Sequence, residues 1–142
     1  MRHKKDTFKI GHSSSHRRAF LANMLKALIV NGRIKTTLAK AKHLRRYADR
    51  MVTLAKKNSL ASRRQAVAEL MICYNTLSPQ QSRAAKEGDI SSYNDDRRVI
   101  KVLFDEIGKR FESRNGGYTR IIKKKVRTGD SSPMCFIEYL AD

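Results

Sequence analysis

Tryptophan is absent from this chain, and aromatic residues make up only 7% of its 142 positions, so any core has to be mainly aliphatic. Cysteine is almost missing as well. Cys73 and Cys135 stand far apart, each inside an apolar run and with no CxxC or clustered histidine beside it. That argues against a disulfide framework or a structural zinc site and for two small buried hydrophobes in a reducing compartment. No apolar run approaches the ~20 residues a membrane span needs. The basic start Met1-Arg-His-Lys-Lys-Asp lacks the apolar stretch that follows in a signal peptide. The expectation is a soluble, cytoplasmic protein with no membrane role.

Catalytic constellations are equally scarce. His3, His12, His16 and His43 form no HExxH motif, and Gly116, Gly117 and Gly129 form no GxGxxG or phosphate loop. Asp105 and Glu106 are neighbours on a predicted helix, where adjacent side chains diverge, and read as solvated surface. No nucleophile–base arrangement stands out. Neither an enzyme nor a cofactor, metal or small-molecule substrate is expected.

The scarcest commodity is negative charge at the N-terminal end. Residues 1–60 hold 16 Lys and Arg against Asp6 and Asp49, a net of +14, whereas residues 61–142 contribute only +4 of the total +18. Such a field is self-repulsive, and a polyanion is the usual reason to keep it. Nucleic acid leads, with an anionic membrane surface as the weaker rival. Hydrophobic residues, 40% of the chain, come in periodic blocks, which argues against a disordered basic tail and for a single domain over residues 1–142.

Residues 1–12 read as an extended basic arm. Ser13-Ser14-Ser15 offers caps for a helix over about 16–31, with Phe20, Leu21, Met24, Leu25, Leu28 and Ile29 on one face and Gly32 as its stop. A strand over 33–38 places Ile34, Thr36 and Leu38 on one side. A second helix over about 39–57 carries a narrow seam of Ala41, Leu44, Ala48, Met51 and Ala55. Asn58-Ser59 breaks it, and a third helix runs to about 77 with Val67, Leu70, Met71, Tyr74 and Leu77 inward. Ser78-Pro79-Gln80-Gln81 looks like a cap and first turn within a polar surface excursion. Asn94 or Asp95 then caps a helix to about 113, with Val99, Leu103, Phe104, Ile107 and Phe111 inward. Strands over 118–126 and 134–140 close a β-hairpin. The expected fold is an α+β two-layer domain in the order helix, strand, three helices, two-strand hairpin.

Charge clusters nominate Arg2, Lys4, Lys5 and Lys9 of the arm and Ser13–Arg18 at a helix N-terminus, where free amides, hydroxyls and guanidinium groups suit phosphate. They add Lys40, Lys42, Arg45, Arg46 and Arg50 on the second helix and Arg63 and Arg64 on the third. Nothing resembles a helix-turn-helix, zinc finger or basic zipper, and no strand is rich enough in aromatics to serve as a stacking platform. Recognition of shape and phosphate by an arm and a compact body suits folded RNA. A nucleoid DNA-binding protein lacks its groove-reading motif, and an RNA-modifying enzyme lacks its cofactor loop. For membrane insertion, the alanine seam of the second helix is too slight.

Specific strings sharpen this. Met1-Arg-His-Lys-Lys, Ser13-Ser-Ser-His-Arg-Arg18, Leu21-Ala-Asn-Met-Leu25, Ile34-Lys-Thr-Thr-Leu38, Leu44-Arg-Arg46, Leu103-Phe-Asp-Glu-Ile-Gly108 and Arg114-Asn-Gly-Gly-Tyr-Thr-Arg-Ile121 run in order along the chain. Together they resemble the bacterial large-subunit ribosomal protein seventeen family. The resemblance implies a structural protein bound to 23S rRNA near the peptide-exit region, in contact with neighbouring ribosomal proteins. It marks Arg2, His3, Ser14, His16, Arg17, Lys35, Thr36, Thr37, Lys40, Lys42, Arg45, Arg46, Arg110, Tyr118, Thr119 and Arg120 as RNA-facing or RNA-adjacent; Arg18, Arg50, Arg63, Arg64 and Arg114 complete the expected surface. Thr37 has a competing role as a helix cap, and Tyr118 as half core. Ala39 replaces the family's usual proline, His43 its usual acid, and residues from about 72 to 94 look like an insertion relative to shorter members.

Overall fold

A computed structural model describes residues 10, 11 and 13–141. The arm expected over 1–12 therefore lies almost wholly outside the described residues. Helix α1 (Ser14–Asn31) begins where the Ser13 hydroxyl accepts the His16 amide and ends at Gly32, whose left-handed φ of 68° lets its N–H close on the Leu28 carbonyl. Strand β1 (Arg33–Thr37) follows at once, then α2 (Leu38–Lys57). Thr37 occupies the cap position of α2, but its hydroxyl makes no capping bond. Instead the Leu38 amide donates to the Pro133 carbonyl at 2.9 Å, tying the helix entry to the far end of the chain.

Helix α2 is the axis of the core. Ala41, Leu44, Ala48, Met51 and Ala55 are all buried, as their spacing predicts, and Val52 and Leu54 join them, so the face is broader than the expected seam. Asn58 stops α2 with φ 45°, and its side-chain oxygen accepts two bonds from the Arg63 guanidinium, at 3.0 and 2.8 Å. Helix α3 (Leu60–Glu69) is shorter than predicted. The chain leaves it at Leu70 and turns through Met71, at φ 52°, so the continuation to residue 77 is not helical. Met71 and Tyr74, expected inside, are exposed; Ser62, Ala66 and Leu70 are the buried positions.

Helix α4 (Pro79–Glu87) carries the full reciprocal cap: Ser78 Oγ accepts from the Gln81 amide while the Gln81 side chain accepts from the Ser78 amide. The surface excursion thus holds one short helix, and with it four helical runs lie between the first and second strands. Asn94 caps α5 (Asp95–Lys101), which runs into a π-helical stretch, Val102–Ile107, and a last α turn, Gly108–Arg110. The sequence explains the π stretch. Val99, Leu103, Ile107 and Phe111 are buried at steps of four, and in a regular α-helix each such step drifts by ~40°. The wider π turn brings the face back to the core. Gly108 lies where this run crosses α2: a Cβ there would meet the Ala55 carbonyl oxygen at 3.1 Å.

Strands β2 (Thr119–Lys123) and β3 (Met134–Tyr139) form the expected hairpin, with β2 shorter than predicted at both ends and β3 by one residue at its C-terminal end. The sheet order is β1-β3-β2, all antiparallel, so the last strand is central. Registers place Arg33 opposite Glu138 opposite Arg120, and Lys35 opposite Phe136 opposite Ile122, on the outer face. Cys135 and Ile137 point inward and are fully buried. Cys135 is the small hydrophobe predicted, its thiol donating to the Thr36 carbonyl; Cys73 is exposed, against expectation, and both are free thiols.

Candidate nucleic-acid interface

The N-terminal half of α1 lies beside α2, and between them runs a groove of about 450 Å³. Ser14, Arg17 and Arg18 come from α1; His43, Tyr47 and Arg50 from α2; Glu69 closes the end from α3. Leu21, Ala22 and Leu25 make an apolar floor. The helical repeat sorts α2 into three stripes: the buried seam, a groove stripe of His43, Tyr47 and Arg50, and a solvent stripe of Lys42, Arg45 and Arg46. Two of the expected clusters, Ser13–Arg18 and the basic residues of the second helix, thus become one basic flank.

Among the described residues two carboxylates adjoin it. Glu69 pairs with Arg50 at 2.8 Å. Asp49, on the same helix as the basic stripes, faces the sheet instead, where its carboxylate accepts from the Thr119 hydroxyl at 3.1 Å. His43 stacks at a tilt on Tyr47, ring centroids 5.3 Å apart. Burial, then the nearby Arg17 charge, push its imidazole below the usual value of 6.5, so it is neutral at physiological pH. Lys40 leans over the Phe20 ring, 4.9 Å from its centroid, which fixes where the ammonium sits.

Other expected residues fall elsewhere. Lys35 and Arg120 lie on the outer sheet face, with Arg120 4.0 Å from Glu138. Arg63 is held by Asn58 over the Phe104 ring, on the far side of α3, and Arg64 and Arg110 are exposed. Thr36, Tyr118 and Thr119 are buried, and their side chains belong to the core, not to a surface. Tyr118 packs on Phe111, ring centroids 5.3 Å apart, and Lys56 caps its other side. The string Arg114-Asn-Gly-Gly-Tyr-Thr-Arg-Ile121 is thereby a structural device. Arg114 donates to the Gly116 carbonyl, Gly117 takes a left-handed φ of 61°, and Tyr118 drops into the core before β2 starts. Arg2, His3, Lys4, Lys5 and Lys9 lie outside the described residues.

Two features were missed. Arg33 stacks 3.9 Å from the Phe136 centroid and Lys124 approaches from 4.3 Å, giving the outer sheet face a cation–aromatic cluster. Its only local signal was the alternation of β3, because the partner strands come from distant parts of the chain. The second is the Tyr74–Arg97–Tyr93 arrangement treated below.

No group of three or more His, Cys, Asp or Glu that could hold a metal ion exists among the described residues, and no described helix is long and apolar enough to cross a membrane. A small α+β body with one concentrated basic flank has the make-up of a polyanion-binding protein. Comparison with known families and proteins supports and refines this. The description "Ribosomal protein L17" applies to a family profile that matches residues 20–140. The chain is 61% identical to the large ribosomal subunit protein bL17 of Protochlamydia amoebophila over 142 residues, the full length of both. It is 61% identical to that of Chlamydia muridarum and 60% to that of Chlamydia abortus, again over the full length of both chains. The chain belongs to the ribosomal protein L17 family, and its role is structural, not enzymatic.

Proposed function

We propose that this chain is a structural constituent of the large ribosomal subunit in the cytoplasm, binding and stabilising folded 23S rRNA near the peptide-exit region and touching neighbouring ribosomal proteins. The observation that carries this reading is the basic flank. Ser14, Arg17 and Arg18 of α1 and Arg50 of α2 line one groove, and His16 of α1 and Lys40, Lys42, Arg45 and Arg46 of α2 lie on the same two helices, while the Asp49 carboxylate accepts from Thr119 of the sheet. Phosphates of converging rRNA segments lie along the solvent stripe and enter the groove, and the released counterions supply most of the affinity. Arg2, His3, Lys4, Lys5 and Lys9 extend this surface from the arm. Lys35, Arg120, Arg110 and Arg114 form a secondary basic surface on and near the sheet, with Thr37 at its margin. Arg63 and Arg64 serve a third surface.

The test is sedimentation of lysate through a high-salt sucrose gradient. Stoichiometric recovery in the large-subunit peak is expected; recovery in light fractions or with nuclease-sensitive DNA overturns the reading.

A further inference from the structure

The segment from Ile72 to Asn94 is bolted to α5. The Asp96 carboxylate accepts the Cys73 amide and the Lys26 ammonium, both at 2.7 Å, and the Asn94 side chain donates to the Cys73 carbonyl at 2.7 Å. Asn75 accepts the Arg97 Nε at 2.9 Å and donates to the Ser92 carbonyl, while a second Arg97 nitrogen reaches the Asn75 carbonyl at 2.8 Å. Beneath this brace opens a pocket of about 360 Å³, separate from the α1–α2 groove, lined by Arg63, Tyr74, Tyr93, Arg97, Lys101 and Asp105 among others. The volume lies in the range of ligand pockets, about 300–1,000 Å³.

Three properties of this pocket converge. The Arg97 guanidinium stands 4.8 Å from the Tyr74 centroid and 5.6 Å from that of Tyr93, so flat π surfaces line the opening. Among the described residues Arg63 and Arg97 hydrogen-bond neutral groups alone, which orient the cations without neutralising them. Among the described residues none of Arg63, Arg97 and Lys101 is in an ion pair, and Asp105 is the one carboxylate of the lining. Tyr74, at 45% exposure, is a large ring left at the surface by a segment otherwise tightly braced.

We infer that this pocket receives one unstacked RNA nucleotide, its base against the Tyr74 and Tyr93 rings and its phosphate on Arg63 and Lys101. The inference rests on the rRNA-binding reading above and adds a second, chemically different contact to it. Aromatic rings and guanidinium planes are the surfaces on which proteins stack splayed-out bases. The Asp105 carboxylate supplies an acceptor for an exocyclic amine. An acidic peptide fits less well, because it would leave the rings unused and bring its carboxylates towards Asp105.

The full chain carrying Tyr74→p-azidophenylalanine, assembled into large subunits and irradiated, is expected to crosslink to a single rRNA position. Crosslinking to a neighbouring protein, or none from stoichiometrically occupied subunits, overturns the inference. In solution, Tyr74→Ala should weaken binding to isolated 23S rRNA about 5- to 10-fold with an unchanged salt slope, and Lys101→Ala should lower the slope by about one. Arg45→Ala is the control. If it weakens binding and Tyr74→Ala does not, the pocket inference fails and the rRNA reading stands. If the wild-type chain does not bind 23S rRNA, both fail. Thermal melts of the variants, expected to match wild type because Tyr74 is outside the core, separate binding from folding.

Discussion

Arginine and lysine do different work in the two halves of this molecule. In the half built from the sheet and α5 several are paired: Arg33 and Arg120 flank Glu138, Arg127 meets Asp130, Arg98 meets Asp95, and Asp96 draws in Lys26 from α1. On the α1–α2 flank, Glu69 is the one carboxylate lining the groove among the described residues. The contrast teaches that the number of basic residues says little about a surface until the positions of the acids are known. Paired cations brace the fold; a flank short of acids keeps a field that only a polyanion can neutralise.

The largest effect should follow from reversing that field. Replacing Arg45 and Arg46 together by Glu is expected to weaken 23S rRNA binding about 100-fold or more near physiological salt and to make the salt slope shallower. Reversal of Arg127 should change affinity less than about threefold. Filter binding across a salt series compares them, and equal losses would erase the distinction between the halves.

Asp96→Ala probes the paired half. It removes the acceptor of both Lys26 and the Cys73 amide at a partly buried site, and should cost about 2 kcal/mol in urea unfolding. The same carboxyl gives a pH signature. Burial raises its pKa, but the Cys73 amide and Lys26 outweigh that and hold it below the usual 3.8. Its contribution is therefore full above that value and lost as pH falls through the lower folded value, so the variant should lose less stability in acid than wild type.

A smaller effect of opposite sign is expected beneath the sheet. The Tyr139 hydroxyl is fully buried, finds no hydrogen-bond partner among the described residues, and has its ionisation pushed far upward by burial and then by Asp49. Tyr139→Phe should stabilise the protein by about 1 kcal/mol and leave RNA binding unchanged. Differential scanning calorimetry and the binding assay check the two parts.

The smallest expected effect belongs to His43. Its folded pKa lies below 6.5, so the free protein loses a little stability as pH falls below that value, where the unfolded chain takes up the proton more readily. A phosphate in the groove favours the charged imidazole, and binding should tighten about two- to threefold between pH 7.5 and pH 6. His43→Ala should flatten that dependence; an unchanged slope would place the phosphates away from the groove.

Much of this was legible in the sequence because local chemistry set it. Ser13, Gly32, Asn58, Ser78 and Asn94 punctuate the helices where their side chains or backbone freedom predict. The inward positions of α2 follow from their spacing. The end of α3 was not legible: Val67, Leu70, Met71, Tyr74 and Leu77 keep a helical rhythm. What stops the helix from continuing is the capture of the Cys73 backbone by Asp96 and Asn94, groups more than 20 positions away. Tyr118, read both as RNA-adjacent and as half core, has its ring packed against Phe111 and Lys56 just before β2 begins. The basic flank was legible as charge but not as a groove. Only the packing of α1 beside α2 shows that Arg17 and Arg50 share a cleft and that Asp49 does not.

The position of β3 carries a consequence in time. The one partner of strand β1 among the described strands, Met134–Tyr139, is made about a hundred residues after it. At synthesis rates of about 5–20 residues per second, β1 waits roughly 5–20 s with an open edge. Its burial and the Leu38–Pro133 bond both depend on a stretch translated about a hundred residues later. Stalling or truncation before residue 134 would therefore leave the most cationic half of the chain without its sheet.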